Sequence, residues 1–121
     1  MACQMSKITI ITRREKFEEL RIALLEIGVQ GMTLTEVEGC GVQHGMELMV
    51  RGVKKQVHLL PKIKLEIVVS TVPVEAVVKA AKDVLKTGKI GDGKIFVSEI
   101  KEVIRIRTGE RNEEALTNNG E

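Results

Sequence analysis

Apolar positions mark out the elements along the chain. From Ser6 to Thr12 the run SKITIIT is dense in β-branched residues, which predicts a strand. Phe17, Leu20, Leu24 and Ile27 then recur every three or four positions among Glu15, Lys16, Glu18, Glu19 and Arg21. That is the spacing of an amphipathic helix, and Gly28 is its stop. Met32 to Gly39 (MTLTEVEG) forms a second β-rich run. From Ile63 to Val69 the chain alternates, with Ile63, Leu65, Ile67 and Val69 on one face and Lys64, Glu66 and Val68 on the other. Pro73 opens a second helix, striped by Val74, Val77, Val78, Ala81 and Leu85 and closed by Gly88. Lys94 to Ile100 and Val103 to Ile106 read as two short strands, and the polar stretch from Thr108 to Glu121 as a mobile tail.

The order is β-α-β, a long insert, then β-α-β with a short final strand. Two such halves predict an α+β, ferredoxin-like βαββαβ sandwich: one antiparallel sheet with both helices on one face, in a single domain spanning residues 1–121. The insert from Cys40 to Leu60, CGVQHGMELMVRGVKKQVHLL, far exceeds the usual connection of about 4–6 residues. Met46, Leu48, Met49, Val50 and Val53 make it too apolar for a solvated linker. A long β-hairpin turning at Arg51-Gly52 is an equal reading, and either way an apolar, basic arm leaves the body. Such arms touch other macromolecules.

Composition narrows the function. Among 121 residues there are two Phe (Phe17 and Phe96), no Trp and no Tyr, which disfavours modules that stack bases on aromatics. Lys and Arg number 19 against 17 Asp and Glu, a formal +2, too even for a protein whose main partner is a nucleic-acid backbone. The two cysteines, Cys3 and Cys40, form no close-spaced motif, and no apolar run has the length of a signal peptide or a membrane span. A cytoplasmic location is the expectation. His44 and His58 make no nucleophile constellation with Cys40, so no enzyme activity is expected. A metal site from Cys40, His44 and His58 would need the insert to fold back, and structural zinc sites prefer denser spacing.

The strongest local feature is Thr87-Gly88-Lys89-Ile90-Gly91-Asp92-Gly93-Lys94. Its glycines let backbone N–H groups approach an anion and Lys94 adds a charge, though it lacks the spacing of a Walker A loop. A plain structural turn explains it as well. In Ile104-Arg105-Ile106-Arg107 alternation places both arginines on one strand face, either as a phosphate clamp beside the glycine turn or as protective charge on a sheet edge. Gly39-Cys40-Gly41 ends a strand where backbone could approach a ligand, and Gln43 and Lys62 flank the insert.

Taken together these residues resemble the PII family of signal-transduction proteins, regulators of nitrogen status. TGKIGDGKIFV (Thr87 to Val97) and VIRIRTGE (Val103 to Glu110) are similar to its C-terminal signature, and GMTLTEVEGCGVQHG and LPKIKLEIVV align without gaps, so the resemblance covers about residues 6–114. It implies a homotrimer with ATP or ADP bound in three clefts between subunits. Gly91, Asp92, Gly93 and Lys94 of the B-loop (about 87–94), with Arg105 and Arg107, would hold phosphates. Ile11, Thr33, Gly39, Gly41, Glu66 and Val68 would surround the adenosine. Gln43 would ligate the Mg²⁺ that bridges ATP to 2-oxoglutarate, and Lys62 would pair with the distal carboxylate of that acid. The insert corresponds to the T-loop (about 40–60), with Arg51, Gly52, Lys54 and Lys55 as its target-binding residues. Arg51 stands where one branch plugs an ammonium transporter, so the resemblance implies recruitment to the membrane through such a target.

The departures are specific. Val42 replaces an arginine of the phosphate cleft, Lys55 stands at the position of the modifiable tyrosine, and Val53 at that of a phosphorylated serine. Between Gly39 and Leu60 there is no Ser, Thr or Tyr, which leaves no hydroxyl for nucleotidyl or phosphoryl transfer. Ligand occupancy is then expected to carry the signal alone. The alternative function is an adenylate-only energy sensor that has lost the 2-oxoglutarate response.

Overall fold

The computed structural model describes residues 4–40, 49–50, 53–54 and 59–117. Strand β1 (Met5–Arg13) runs through a 3-10 turn into helix α1 (Phe17–Glu26), and the chain returns as β2 (Thr33–Cys40). Two short strands, β3 (Met49–Val50) and β4 (Val53–Lys54), precede the long β5 (Leu59–Val69). Helix α2 (Val74–Leu85) and β6 (Lys94–Ile100) follow, and a helical turn, α3 (Glu113–Leu116), comes last.

Four strands form one sheet in the order β2-β5-β1-β6, each pair antiparallel. This is the ferredoxin-like arrangement expected from the sequence. Alternation decides which face is buried. Ile8 and Ile10 of β1, with Leu65 and Ile67 of β5, meet Leu20 and Leu24 of α1 and Val77 and Ala81 of α2 in one core. Leu24 is fully buried there, so truncation to Ala would cost about 2–5 kcal/mol. α1 ends where Gly28 takes φ +101° and Val29 donates back to the Leu24 carbonyl. Pro73 caps α2 from an extended conformation, as its missing N–H and fixed φ favour. Among the described residues no helix is long and apolar enough to cross a membrane.

The opposite face of the sheet carries no helix. There Lys62, Lys64, Glu66 and Val68 of β5 lie beside Lys7, Thr9, Ile11 and Arg13 of β1, in the register Arg13↔Lys62, Ile11↔Lys64, Thr9↔Glu66 and Lys7↔Val68.

At the base of the arm β2 and β5 stay paired to Cys40↔Leu59, and within it β3 pairs with β4 as Met49↔Lys54 and Val50↔Val53. This register carries the hairpin reading. Gly41, Val42, Gln43, Arg51, Gly52, Lys55 and both histidines lie outside the described residues, and Lys54 is described in its backbone only.

The C-terminus departs from expectation. Val103–Ile106 is not a sheet strand. The chain folds back on itself at Gly109 (φ +77°), with Arg105 N–H donating to the Glu110 carbonyl and Gly109 N–H to the Arg105 carbonyl, both at 2.8 Å. A single bridge joins Ile104 to Arg111, and Asn112 N–H donates to the Val103 carbonyl at 2.7 Å. The β-branched alternation was real, but its partner is the following segment and not β6. The stretch read as a mobile tail therefore has turn and helix structure as far as Thr117.

Candidate functional site

The glycine turn after α2 is organised around Asp92. Its carboxylate accepts from the Thr87 and Gly88 amides at 2.7 and 2.9 Å and from the Thr87 hydroxyl. Arg13 adds an ion pair at 3.1 Å. The Thr87 hydroxyl first, then its amide, the Gly88 amide and the Arg13 charge hold the Asp92 carboxyl down at about 2. A side chain so engaged shapes the loop.

Strand ends pin this loop to the sheet. Thr12, itself buried, donates its hydroxyl to the Asp92 carbonyl at 2.7 Å. Arg13 donates to the Ile90 carbonyl and Lys62 to the Gly91 carbonyl, each at 2.9 Å. Gly93 takes φ +109°, and a Cβ there would lie 2.0 Å from the Ile11 carbonyl oxygen, so no side chain fits. A Cβ on Gly39 would press on the Lys62 stem at 3.1 Å. Lys94 pairs with Ile11 across β1 and β6. Ile11, Gly39, Lys62, Gly91, Asp92, Gly93 and Lys94 thus share one end of the molecule.

The remaining predicted residues gather elsewhere. Thr33, Glu66, Val68, Arg105 and Arg107 line an open cleft of about 980 Å³ together with Lys7. Glu66 pairs with Lys7 at 2.6 Å, and that contact lowers its carboxyl below the ordinary value, with the charges of Lys7 and Lys64 adding to the effect. On β5, Lys62 and Glu66 stand four residues apart, roughly 13 Å at the rise of a strand. The lining of this cleft includes both arginines and none of the glycine turn.

The arginines also differ from each other. Arg105 is buried; it pairs with Glu110 and donates to the carbonyls of Ala115 (3.2 Å) and Thr117. Arg107 lies exposed in the fold-back. Because 103–107 is no sheet strand, the two do not form a solvated sheet edge.

The sequence model described as nitrogen regulatory protein P-II matches residues 5–110. The chain belongs to the P-II family. It is similar to the nitrogen regulatory PII-like protein of Bacillus subtilis, 51% identical over 116 residues that cover 96% of this chain and all of that one. The nitrogen regulatory protein GlnK of Escherichia coli is 46% identical over 112 residues, covering 93% of this chain and all of that protein. Among solved structures, the complex of B. subtilis GlnK with ATP aligns with a TM-score of 0.81 at 47% identity, covering 96% of this chain and 99% of that one.

In this P-II protein sequence reasoning missed Thr12, Arg13 and Lys7. The first two hold the B-loop, and Lys7 holds Glu66. Arg13 stands at the end of a strand, where a basic residue looks like ordinary surface. Lys7 becomes visible only through the β1–β5 register. Among the described residues no group of His, Cys, Asp and Glu has the arrangement of a metal site.

Proposed function

We propose that this P-II protein is a transducer of nitrogen and energy status that binds ATP or ADP in clefts between three copies of the chain. One arrangement supports the reading: the ligand-type residues fall into two groups toward opposite ends of the open sheet face, with Lys62 of one and Glu66 of the other four residues apart on β5, each group incomplete by itself. The B-loop half offers glycine N–H groups and Lys94 for phosphates. The other half offers Arg107 and Arg105 for charge, with Thr33, Glu66 and Val68 around a nucleoside-sized space. A closed ring of identical chains, meeting through a heterologous interface, sets one half against the other three times. Ile106 is fully exposed and Phe96 half-exposed, apolar surface that such packing would cover. The ATP complex of the B. subtilis relative supports the nucleotide.

Mg²⁺ bound through Gln43 and 2-oxoglutarate bound at Lys62 complete the proposal. Bound Mg²⁺ would neutralise phosphate charge and link the acid to the nucleotide. The Lys62 ammonium, already at the B-loop, fits a carboxylate. Different occupants then favour different arrangements of the T-loop. Through Arg51, with Gly52, Lys54 and Lys55 beside it, that arm engages a target, for which an ammonium transporter fits best: a guanidinium at a hairpin tip can enter a narrow pore mouth and hydrogen-bond there. Val42 favours the second reading, an adenylate-only sensor, because the phosphate cleft lacks one cation. Titrating 2-oxoglutarate with and without Mg-ATP separates the two.

Subunit complementation tests the core claim. Lys94→Ala and Arg107→Ala homotrimers should each lose most ATP binding. Co-expressed, they form mixed rings in which roughly one cleft in three has both halves intact. Recovery of wild-type affinity at that fraction of sites is expected; no recovery would reject a cleft shared between chains.

A further inference from the structure

Lys7 is absent from the ligand set that the sequence suggests, yet it lines the cleft on the Glu66 side. Along β1 it faces Val68, one diagonal step from Glu66, and its ammonium closes on Glu66 Oε2 at 2.6 Å. Neither group is buried: their side chains are 37% and 24% exposed, so both are within reach of a molecule in the cleft. Lys64, the next cation on that face, acts on Glu66 only through its field and does not line the cleft. Thr9 and Thr33 stand opposite Glu66 on the two flanking strands. Among the described residues Glu66 Oε1 carries no hydrogen bond.

An ionised carboxylate accepts hydrogen bonds and donates none. Of the groups on an adenine nucleotide, the paired ribose hydroxyls are donors that a carboxylate binds well, as in dinucleotide folds. Resting on the nucleotide reading above, we propose that Lys7 is a positioning residue for sugar selectivity: by holding Oε2 it fixes the Glu66 carboxylate so that Oε1 receives the ribose diol. A carboxylate that must be pulled into place from many rotamers binds the diol more weakly, because ordering it consumes part of the interaction. The charge of Lys7 makes the pair stiffer than a neutral neighbour would.

The test compares ATP with 2′,3′-dideoxy-ATP by calorimetry on the intact protein, as wild type, Lys7→Ala and Lys7→Arg. Wild type should prefer ATP by about tenfold or more, the size of a charge-assisted hydrogen bond. Lys7→Ala should bring that preference to within about threefold, chiefly by weakening ATP, and Lys7→Arg should retain most of it. A purely structural or generally attractive Lys7 would weaken both nucleotides alike and leave the ratio unchanged, which overturns the proposal. So does a wild type that binds ATP without preferring it over the dideoxy analogue, while the nucleotide reading survives. A wild type that binds neither nucleotide removes that reading and the role of Lys7 together.

Discussion

Lys62 donates a 2.9 Å hydrogen bond to the Gly91 carbonyl, tying the start of β5 to the glycine loop that follows α2. The ammonium proposed for an effector carboxylate therefore also braces the loop proposed for phosphate. A bound carboxylate and the Gly91 carbonyl would compete for the same three donors, which couples the two ligands through one side chain. In Lys62→Ala we expect the Mg-ATP-dependent response to 2-oxoglutarate to vanish. ATP affinity should fall about three- to tenfold from loss of the half-exposed brace. Calorimetric titrations of both ligands check this; an unchanged 2-oxoglutarate isotherm in the variant would contradict the assignment.

Asp92 makes the B-loop sensitive to acid in a predictable direction. Its folded-state carboxyl lies near 2, below the ordinary 3.8, chiefly because the ionised form accepts from Thr87. A depressed pKa contributes order that is fully present above the unfolded value and disappears as pH falls through the folded one. Protection of the Thr87 and Gly88 amides against hydrogen exchange should thus be flat from neutral pH to about 4 and fade toward 2. Asp92→Asn should show the unprotected pattern already at pH 7, with the core amides of β1 and β5 unaffected.

Two glycines of the same loop should respond differently to alanine. At Gly93 a Cβ meets the Ile11 carbonyl oxygen at 2.0 Å and Thr12 Cα at 3.0 Å, and φ is +109°. Neither contact is a flexible side-chain end, so Gly93→Ala combines overlap with backbone strain and should cost about 2–6 kcal/mol. Gly88 takes φ +85° with open space around it, so only the left-handed penalty of about 1–2 kcal/mol applies. Urea unfolding at one fixed protein concentration compares them, since assembly shifts apparent stability.

Most of the fold was legible because its elements differ in period. Alternation in Ile63–Val69 and the helical stripe of Val74–Leu85 each admit one structure, and the sheet buries the faces these patterns mark. Ile104–Arg107 misled because a strand-like pattern does not name its partner: it pairs with Glu110 and Arg111, a choice made by the turn at Gly109. The site was legible as residue types only. Nothing in the spacing of Lys62, Glu66 and Arg105 shows that Lys62 sits at the glycine turn while Glu66 and Arg105 line the cleft, because that depends on which end of β5 faces each. Thr12, Arg13 and Lys7 were hidden for the same reason, since their roles follow from register and not from any local motif.

Val42 should be visible in the balance between ATP and ADP. A cation restored there by Val42→Arg adds a charged donor to the phosphate side, and a hydrogen bond to a charged group contributes about 1.5–3 kcal/mol when well placed. ATP carries one more phosphate and one more negative charge than ADP, so Val42→Arg should widen the preference for ATP over ADP by about tenfold. Comparable affinities for both nucleotides in wild type and variant would sink that expectation.

The arm between Gly39 and Leu60 contains no Ser, Thr or Tyr, and the whole chain contains no Tyr. Nucleotidyl or phosphoryl transfer to a hydroxyl is therefore closed to this arm, and Lys55 stands at the position that corresponds to the modifiable tyrosine. Occupancy of the clefts is then the available signal, and the arm must read it through its conformation. Intact-mass measurement of protein drawn from nitrogen-starved and nitrogen-replete cells should give one unmodified mass in both. Replacing Lys55 by Tyr supplies the missing hydroxyl in an otherwise unchanged arm, so the variant separates two causes of an absent adduct: a chain without an acceptor and a cell without the transferase. A nucleotidyl adduct mapped to residues 40–60 of the natural chain would refute control by occupancy alone.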